Sequence, residues 1–251
     1  MRNNIKSLFL ICLFISSEVL AQNEAIIQPQ LMYTSRFQWG GNLNSTGLGG
    51  INFKYGWHKT GTVNNMLDFE FARIRNSKEI QTSSASDNPR QYVFGRLNMA
   101  FFLRAGYGQN IAITERPYKN AASLHFNYSL GATCAFLKPI FVDVQVKVND
   151  PNQVPYMTVV PMQYDPATVS QSDILGESTF TEGISKTKLY PGGYGKASLA
   201  VEWGPYPDEF KSLEAGVVLD AFLRPLPLMA NVSPEFYFFT LFIEFTFGSN
   251  N

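Results

Sequence analysis

From Ala122 to Phe136 the chain alternates without a slip between apolar residues and small or polar ones. Ala122, Leu124, Phe126, Tyr128, Leu130, Ala132, Cys134 and Phe136 fall on one face. Ser123, His125, Asn127, Ser129, Gly131, Thr133 and Ala135 fall on the other. A period of two is the period of a β-strand, and a helix cannot gather that pattern onto one face. A strand this long has one greasy side and one small, polar side, and which side is the inside decides solvent and compartment.

The rhythm recurs along the chain. Apolar sets at alternate positions are Leu31, Tyr33, Phe37 and Trp39; Ile51, Phe53, Tyr55 and Trp57; Leu67, Phe69 and Phe71; Met99, Phe101, Leu103 and Tyr107. They continue with Ile140, Val142, Val144, Val146 and Val148; Leu199, Val201 and Trp203; Leu213, Val217, Leu219 and Leu223; and Tyr237, Phe239, Leu241, Ile243, Phe245 and Phe247. With the opening stretch these predict nine strands. Turn residues at Gly40-Gly41-Asn42, Lys138-Pro139, Gly204-Pro205 and Pro225–Pro227 are expected to separate them. No composition break divides the chain, so residues 22–251 are expected to form a single domain.

The N-terminus reads as a secretory leader. Arg2 and Lys6 precede the apolar run Leu8–Ile15, and Val19-Leu20-Ala21 is a V-x-A cleavage site, so a signal peptide of residues 1–21 is expected. Its loss removes Arg2, Lys6 and Glu18 from twenty charges of each sign, leaving 18 basic residues against 19 acidic. A near-neutral chain without a basic patch argues against a nucleic-acid partner. Of two cysteines only Cys134 remains, so neither an internal disulfide nor a thiolate metal cluster is expected.

Volume then separates two architectures. In a soluble barrel or sandwich the greasy faces point in; in an outer-membrane barrel they point out to lipid. A barrel of about eight to ten strands has an interior that side chains just fill, and the large side chains of nine greasy faces would overfill it. Small polar residues such as Ser123, Asn127, Ser129, Gly106, Gly108 and Ser198 fit there. The charged residues expected in the lumen are Arg36, Lys54, Arg104, Lys147, Lys196 and Arg224 against Asp68, Glu70, Asp143, Glu202, Glu214, Asp220 and Glu244. Buried charges must pair, so a salt-bridged, plugged lumen follows. Trp39, Trp57, Tyr107 and Trp203 sit where an interfacial aromatic girdle would. The predicted fold is therefore all-β: a transmembrane antiparallel up-and-down barrel in the outer membrane, with a long extracellular loop at about 149–190. Nine strands would leave the chain ends on opposite sides. Either the first strand does not span, giving eight, or "QYVFGRLN" at 91–98 adds a tenth; its phase flips near Gly95, and ten is the expectation preferred.

Candidate chemistry is thin. His58 and His125 are the only histidines. Ser123 lies two positions from His125, about 7 Å along a strand, which makes it a poor partner for the imidazole. A lumen histidine satisfied by a carboxylate is the expectation. Asp150, Asp165, Asp173, Glu177 and Glu182 lack the regular spacing of a calcium loop. No residue is assigned a catalytic, cofactor-binding or metal role.

Five stretches carry a resemblance: "YVFGRLN" with "FFLRAGYGQ" at 92–109, "YSLGATCAFLKPIFVDV" at 128–144, "FTEG" at 180–183 and "KLYPGGYGK" at 188–196. They resemble uncharacterised small outer-membrane β-barrel proteins of the Bacteroidota. The resemblance implies fold and location and no activity. The alternating end Ile243-Glu-Phe245-Thr-Phe247 resembles the signal read by the barrel-assembly machinery, although Gly248-Ser-Asn-Asn251 follows it. Expected partners are outer-membrane lipid, that machinery during biogenesis, and envelope proteins. The function expected is a structural or interaction barrel, with a lipid- or peptide-modifying rim enzyme and a narrow channel for small polar solutes as alternatives.

Overall fold

The structure is a computed structural model and describes residues 35–60, 62–76, 78–83, 91–114, 122–148, 156–169, 173–204, 209–230 and 232–250. The leader, residues 31–34 of the first expected strand, and Asp150 lie outside the described residues. The strands in chain order are β1 (Ser35–Asn44), β2 (Gly47–His58), β3 (Val63–Ile74), β4 (Gln81–Ser83), β5 (Gln91–Val93), β6 (Asn98–Ala112) and β7 (Ser123–Pro139). They continue with β8 (Phe141–Val148), β9 (Tyr156–Gln163), β10 (Ile174–Glu177), β11 (Lys188–Trp203), β12 (Glu209–Leu226) and β13 (Glu235–Asn250).

Eight of them close a barrel in the order β1, β2, β3, β6, β7, β11, β12, β13 and back to β1, each antiparallel to both neighbours. Closure leaves none of the eight without a neighbour on either side, so backbone donors and acceptors along the paired length of each stave are satisfied in the wall. The barrel is up-and-down, and Ser35 and Asn250 stand at the same end. Short connections join β2 to β3, and β11 to β12, at that turn end. The long ones, 75–97 and 140–187, belong to the other, the long-loop end.

The count is eight, the smaller of the two expected. The odd strand was not the first. It is β8, which pairs with β9 and β10 in a separate three-stranded sheet. One residue, Ile140, separates β7 from β8. A hairpin needs at least two, so Lys138-Pro139 ends a stave without turning the chain back into the wall. "QYV" forms β5, paired with β4 in a two-stranded ribbon, and the phase flip at Gly95 (φ 77°) is a turn. Gly40 and Gly41 lie inside β1; the turn to β2 is Ser45-Thr46. Glycine in a strand marks close approach as readily as a turn. Pro225 likewise lies inside β12.

The outward faces are apolar all the way round. Phe37, Trp39 and Leu43 are exposed on β1, Ile51, Phe53 and Tyr55 on β2, Phe69 and Phe71 on β3, and Leu103 and Tyr107 on β6. Phe126, Tyr128 and Leu130 continue the belt on β7, Leu199 and Val201 on β11, Leu213, Val217 and Leu219 on β12, and Leu241, Ile243 and Phe245 on β13. Soluble monomers rarely expose contiguous apolar patches beyond a few hundred Å². A closed belt of this kind is a lipid-facing surface, crossed by strands; no helix among the described residues is long and apolar enough to cross a membrane. Towards the turn end the belt becomes aromatic. Trp39 lies 5.3 Å from Phe247, Trp57 6.1 Å from Tyr107 and Trp203 6.1 Å from Phe245, between ring centroids.

The inward faces carry the small residues the volume argument requires. Gly106 and Gly131 pair across β6 and β7, and Tyr194 on β11 pairs with Gly131. A Cβ at Gly106 would stand 2.5 Å from the Tyr194 hydroxyl and 2.7 Å from the Leu130 carbonyl oxygen. The two glycines make the room that the buried phenol fills. Gly106→Val is expected to destabilise the barrel by about 1–3 kcal/mol through overpacking. The check is its urea midpoint in lipid vesicles; an unchanged midpoint would show that the ring has slack.

Candidate functional site

The lumen is closed at two levels by different chemistry. The first is ionic. Arg104, fully buried on β6, donates from Nε to Asp220 Oδ1 at 2.9 Å and from Nη2 to Asp220 Oδ2 at 2.6 Å. Its Nη1 reaches Glu70 Oε1 at 2.6 Å. Lys196 Nζ lies 3.2 Å from Glu70 and 3.1 Å from Glu244, and Lys54 Nζ lies 2.7 Å from Glu214 and beside Glu244. Neutral donors take up the remaining lone pairs: Asn42 to Glu70, Asn52 to Glu244, and Asn127 and Ser198 to Glu214. The spacing of two along each strand puts these groups on one face, and closure of the barrel brings faces from all eight strands together.

The census differs from the expected near balance. Asp143 and Lys147 sit on β8, outside the barrel, and Arg224 is exposed beyond the lumen. Four buried cations, Arg36, Lys54, Arg104 and Lys196, therefore face six buried carboxylates, Asp68, Glu70, Glu202, Glu214, Asp220 and Glu244. The excess of carboxylates explains why so many amides and hydroxyls are recruited as donors.

The second closure is apolar and lies toward the long-loop end. Ala72, Ile74, Ala100, Phe102, Ala135, Leu137, Phe222 and Phe238 turn inward there. They pack with Leu226, Leu228 and Met229 from the end of β12 and the β12–β13 connection. Leu97 N–H donates to the Leu228 carbonyl at 2.9 Å and Ala230 N–H to the Gly95 carbonyl at 2.8 Å, so that connection is stitched across the mouth.

Near the turn end the structure corrects the spacing argument for His125. Ser123 Oγ lies 2.9 Å from His125 Nε2. Alternate residues are about 7 Å apart at Cα, but both side chains stand on the same face and lean together. The imidazole's other nitrogen, Nδ1, lies 3.0 Å from Asn110 Oδ1. Glu214 can only accept, so it fixes the Asn127 amide; Asn110 then donates to Asn127 Oδ1 at 2.6 Å and turns its own oxygen to Nδ1. Nδ1 therefore carries a proton. Nε2 also lies 3.2 Å from Glu202, which pairs with Arg36, so the expected carboxylate partner is present too. A hydroxyl on a basic imidazole is the arrangement of an activated nucleophile. Ser123 is buried and Glu202 shares the same nitrogen, and the cluster links the Arg36–Glu202 pair to the Glu214 network. His58 stands at the end of β2, close enough to Arg36 to feel its charge, and Cys134 is a half-buried thiol on the outward face.

Above the long-loop end, β8, β9 and β10 form a cap. Val142 and Val144 of β8 pack with Tyr92, Met99, Ile140, Tyr164 and Ile174. Phe180, from the loop after β10, sets its edge on Phe101 of the barrel wall at 6.3 Å, and Lys138 Nζ lies 4.8 Å from the Phe180 ring centroid. Arg96 ties the cap to the β4–β5 ribbon through Glu177 at 2.8 Å and Glu79 at 3.4 Å. Of the acidic residues weighed as a calcium loop, Asp173 precedes β10 and Glu177 ends it, while Asp165 and Glu182 lie in separate turns. In β9 Tyr156, Met157, Val159, Val160 and Met162 are all exposed, and among the described strands β9 pairs only with β8.

No family model and no curated protein matches the chain. Among solved structures the chain is similar to Neisserial surface protein A, with a TM-score of 0.39 and 8% identity over 87% of this chain and 97% of that one. It is also similar to Ail, the attachment invasion locus protein of Yersinia pestis, with a TM-score of 0.38 and 7% identity over the same shares. The fold rests on the strand pairing described above rather than on these likenesses.

Proposed function

We propose that the chain is an outer-membrane protein whose barrel is an anchor and not a conduit, and whose interactions are made by the cap at the cell surface. The observation that carries this reading is the double closure of the lumen. A conducting barrel of this size would need a continuous polar bore, and here an apolar plug lies over a paired ionic layer. The short connections and both described chain ends at one end fit a periplasmic side; the long connections fit an extracellular one. The leader at residues 1–21 would send the chain to the envelope, the assembly machinery would insert it, and envelope proteins are the proposed partners. The uncharged edge of β9, unpaired among the described strands, is suited to them, since edges that avoid pairing usually carry charge. The resemblance to Bacteroidota barrels is consistent with this placement.

Planar-bilayer recording tests the closed bore. Near-zero current is the expected result, and stepwise conductance would overturn the anchor reading in favour of a channel. Gel mobility tests the membrane reading: the folded protein should need detergent and should shift on heating. A protein that is soluble without detergent and unshifted would sink it.

A further inference from the structure

The barrel wall is lower at one place than elsewhere. β1 reaches only Asn44, opposite Phe242, while β13 runs on through seven more residues, 235–241. On the other side β3 ends at Ile74, opposite Gly47, and the chain continues through Arg75 and Asn76. The β1–β2 turn is therefore the floor of a notch between β13 and the continuation of β3. The floor is pinned on both flanks. Ser45 N–H donates to the Leu241 carbonyl at 2.8 Å, Leu241 N–H donates to Ser45 Oγ at 3.0 Å, and Arg75 N–H donates to the Thr46 carbonyl.

Two adjoining cavities occupy the notch, one of about 450 Å³ and one of about 290 Å³, and both are lined by Thr46, Arg75 and Asn76. The larger one straddles the wall. Its lining includes Tyr237 and Phe239, which belong to the lipid-facing stripe of β13, and Phe238, which points into the apolar plug. Tyr237 and Phe239 are 69% and 57% exposed, so the cavity is continuous with the belt that meets acyl chains.

Charge in the notch is unusual for this molecule. Every lumen cation is paired, yet neither Arg75 nor Arg73, two residues below it on the outward face of β3, makes an ion pair among the described residues. The Nε of each is buried without a partner. Glu79, which lines the smaller cavity, is engaged by Arg96. Glu235, at the mouth of the larger one, is exposed and makes no ion pair among the described residues. The notch thus offers the Arg75 guanidinium and the Glu235 carboxylate, neither in an ion pair among the described residues, and an aromatic wall open to lipid.

We propose that the notch is a lateral binding site for a membrane lipid whose headgroup carries both a phosphate and an ammonium. The phosphate sits on Arg75, with Thr46 and Asn76 as neutral donors; the ammonium faces Glu235; an acyl chain lies along Tyr237 and Phe239. A headgroup of one sign would leave either the arginine or the carboxylate unmatched, which costs more at the edge of lipid than in water. The inference rests on the membrane reading of the barrel exterior.

Native mass spectrometry of the full chain released from detergent tests it, with phosphatidylethanolamine, phosphatidylglycerol and free phosphoethanolamine as probes. Wild type is expected to retain one phosphatidylethanolamine. Arg75→Gln should weaken that retention by roughly tenfold, the worth of a charge-assisted bond. Tyr237→Ser should weaken it less, and Leu219→Ser, on the outward face of β12, should leave it unchanged. Equal retention by wild type and Arg75→Gln overturns the site. Phosphatidylglycerol held as tightly as phosphatidylethanolamine, or phosphoethanolamine held as tightly as the lipid, overturns the assigned ligand. The heat shift on a gel is read on every variant: its presence with no lipid discrimination sinks the notch alone, while its absence in wild type sinks the membrane reading.

Discussion

Arg104→Met should cost the barrel about 3–5 kcal/mol, the loss expected when one partner of a buried ion pair is removed and the other stays. Arg104 is fully buried and is the only cation within hydrogen-bond reach of Asp220 among the described residues. Its removal leaves three buried cations facing six carboxylates and strips Glu70 of one of its two cations. Methionine matches the stem and leaves no new polar atom, so the loss reports the charge and not a cavity. Arg104→Lys should fall between, because an ammonium cannot reproduce the two parallel bonds to the Asp220 carboxylate. The double variant Arg104→Met/Asp220→Leu should recover most of the loss, since replacing both partners of a buried pair with apolar groups is often close to neutral. Urea unfolding in lipid vesicles, followed by tryptophan fluorescence and by gel mobility, gives the three values. A double variant as unstable as the single one would show that Arg104 matters for packing and not for pairing.

The staves were legible because alternation is local. Leu124 to Phe136 announce their faces without reference to any other strand, and the volume of the greasy set decides which face meets lipid. Alternation does not say what a face is buried against. Val142, Val144 and their neighbours on β8 satisfy the pattern as well as any stave does, yet they pack in the cap, and the deciding signal was the single residue Ile140 between β7 and β8. The lumen charges were legible as a set and not as pairs. Arg104 and Asp220 lie 116 positions apart and Lys54 and Glu244 lie 190 apart, separations that only closure of the barrel brings together. The contact of Ser123 with His125 escaped a rule built on Cα spacing, because the rule omits the lean of two side chains on one face. The notch was invisible for another reason. It depends on where β1 stops relative to β13, and Gly40-Gly41 drew the expected turn five residues too early.

Phe102→Ala should cost about 3–5 kcal/mol, the range for emptying a buried phenylalanine site, and yet should leave the bore shut. Phe102 is fully buried, with its ring centroid 4.9 Å from Phe222 and 5.5 Å from Phe238, each from a different strand. The three rings are the centre of the apolar plug, so truncation leaves a void that the rigid wall cannot collapse to fill. Conductance in planar bilayers should remain near zero for the folded variant, because the Arg104, Lys54 and Lys196 ion pairs lie in a separate layer. A steady current through Phe102→Ala would show that the plug alone seals the lumen and that the ionic layer is permeable. The two layers touch at one point: the Arg104 guanidinium carbon lies 5.7 Å from the Phe102 ring centroid. Energies of side chains in contact do not add. The combined variant Phe102→Ala/Arg104→Met should therefore be less destabilised than the two single losses together, by roughly 0.5–2 kcal/mol, the range for a cation over an aromatic face. Strict additivity in that cycle would show that the two closures are energetically independent.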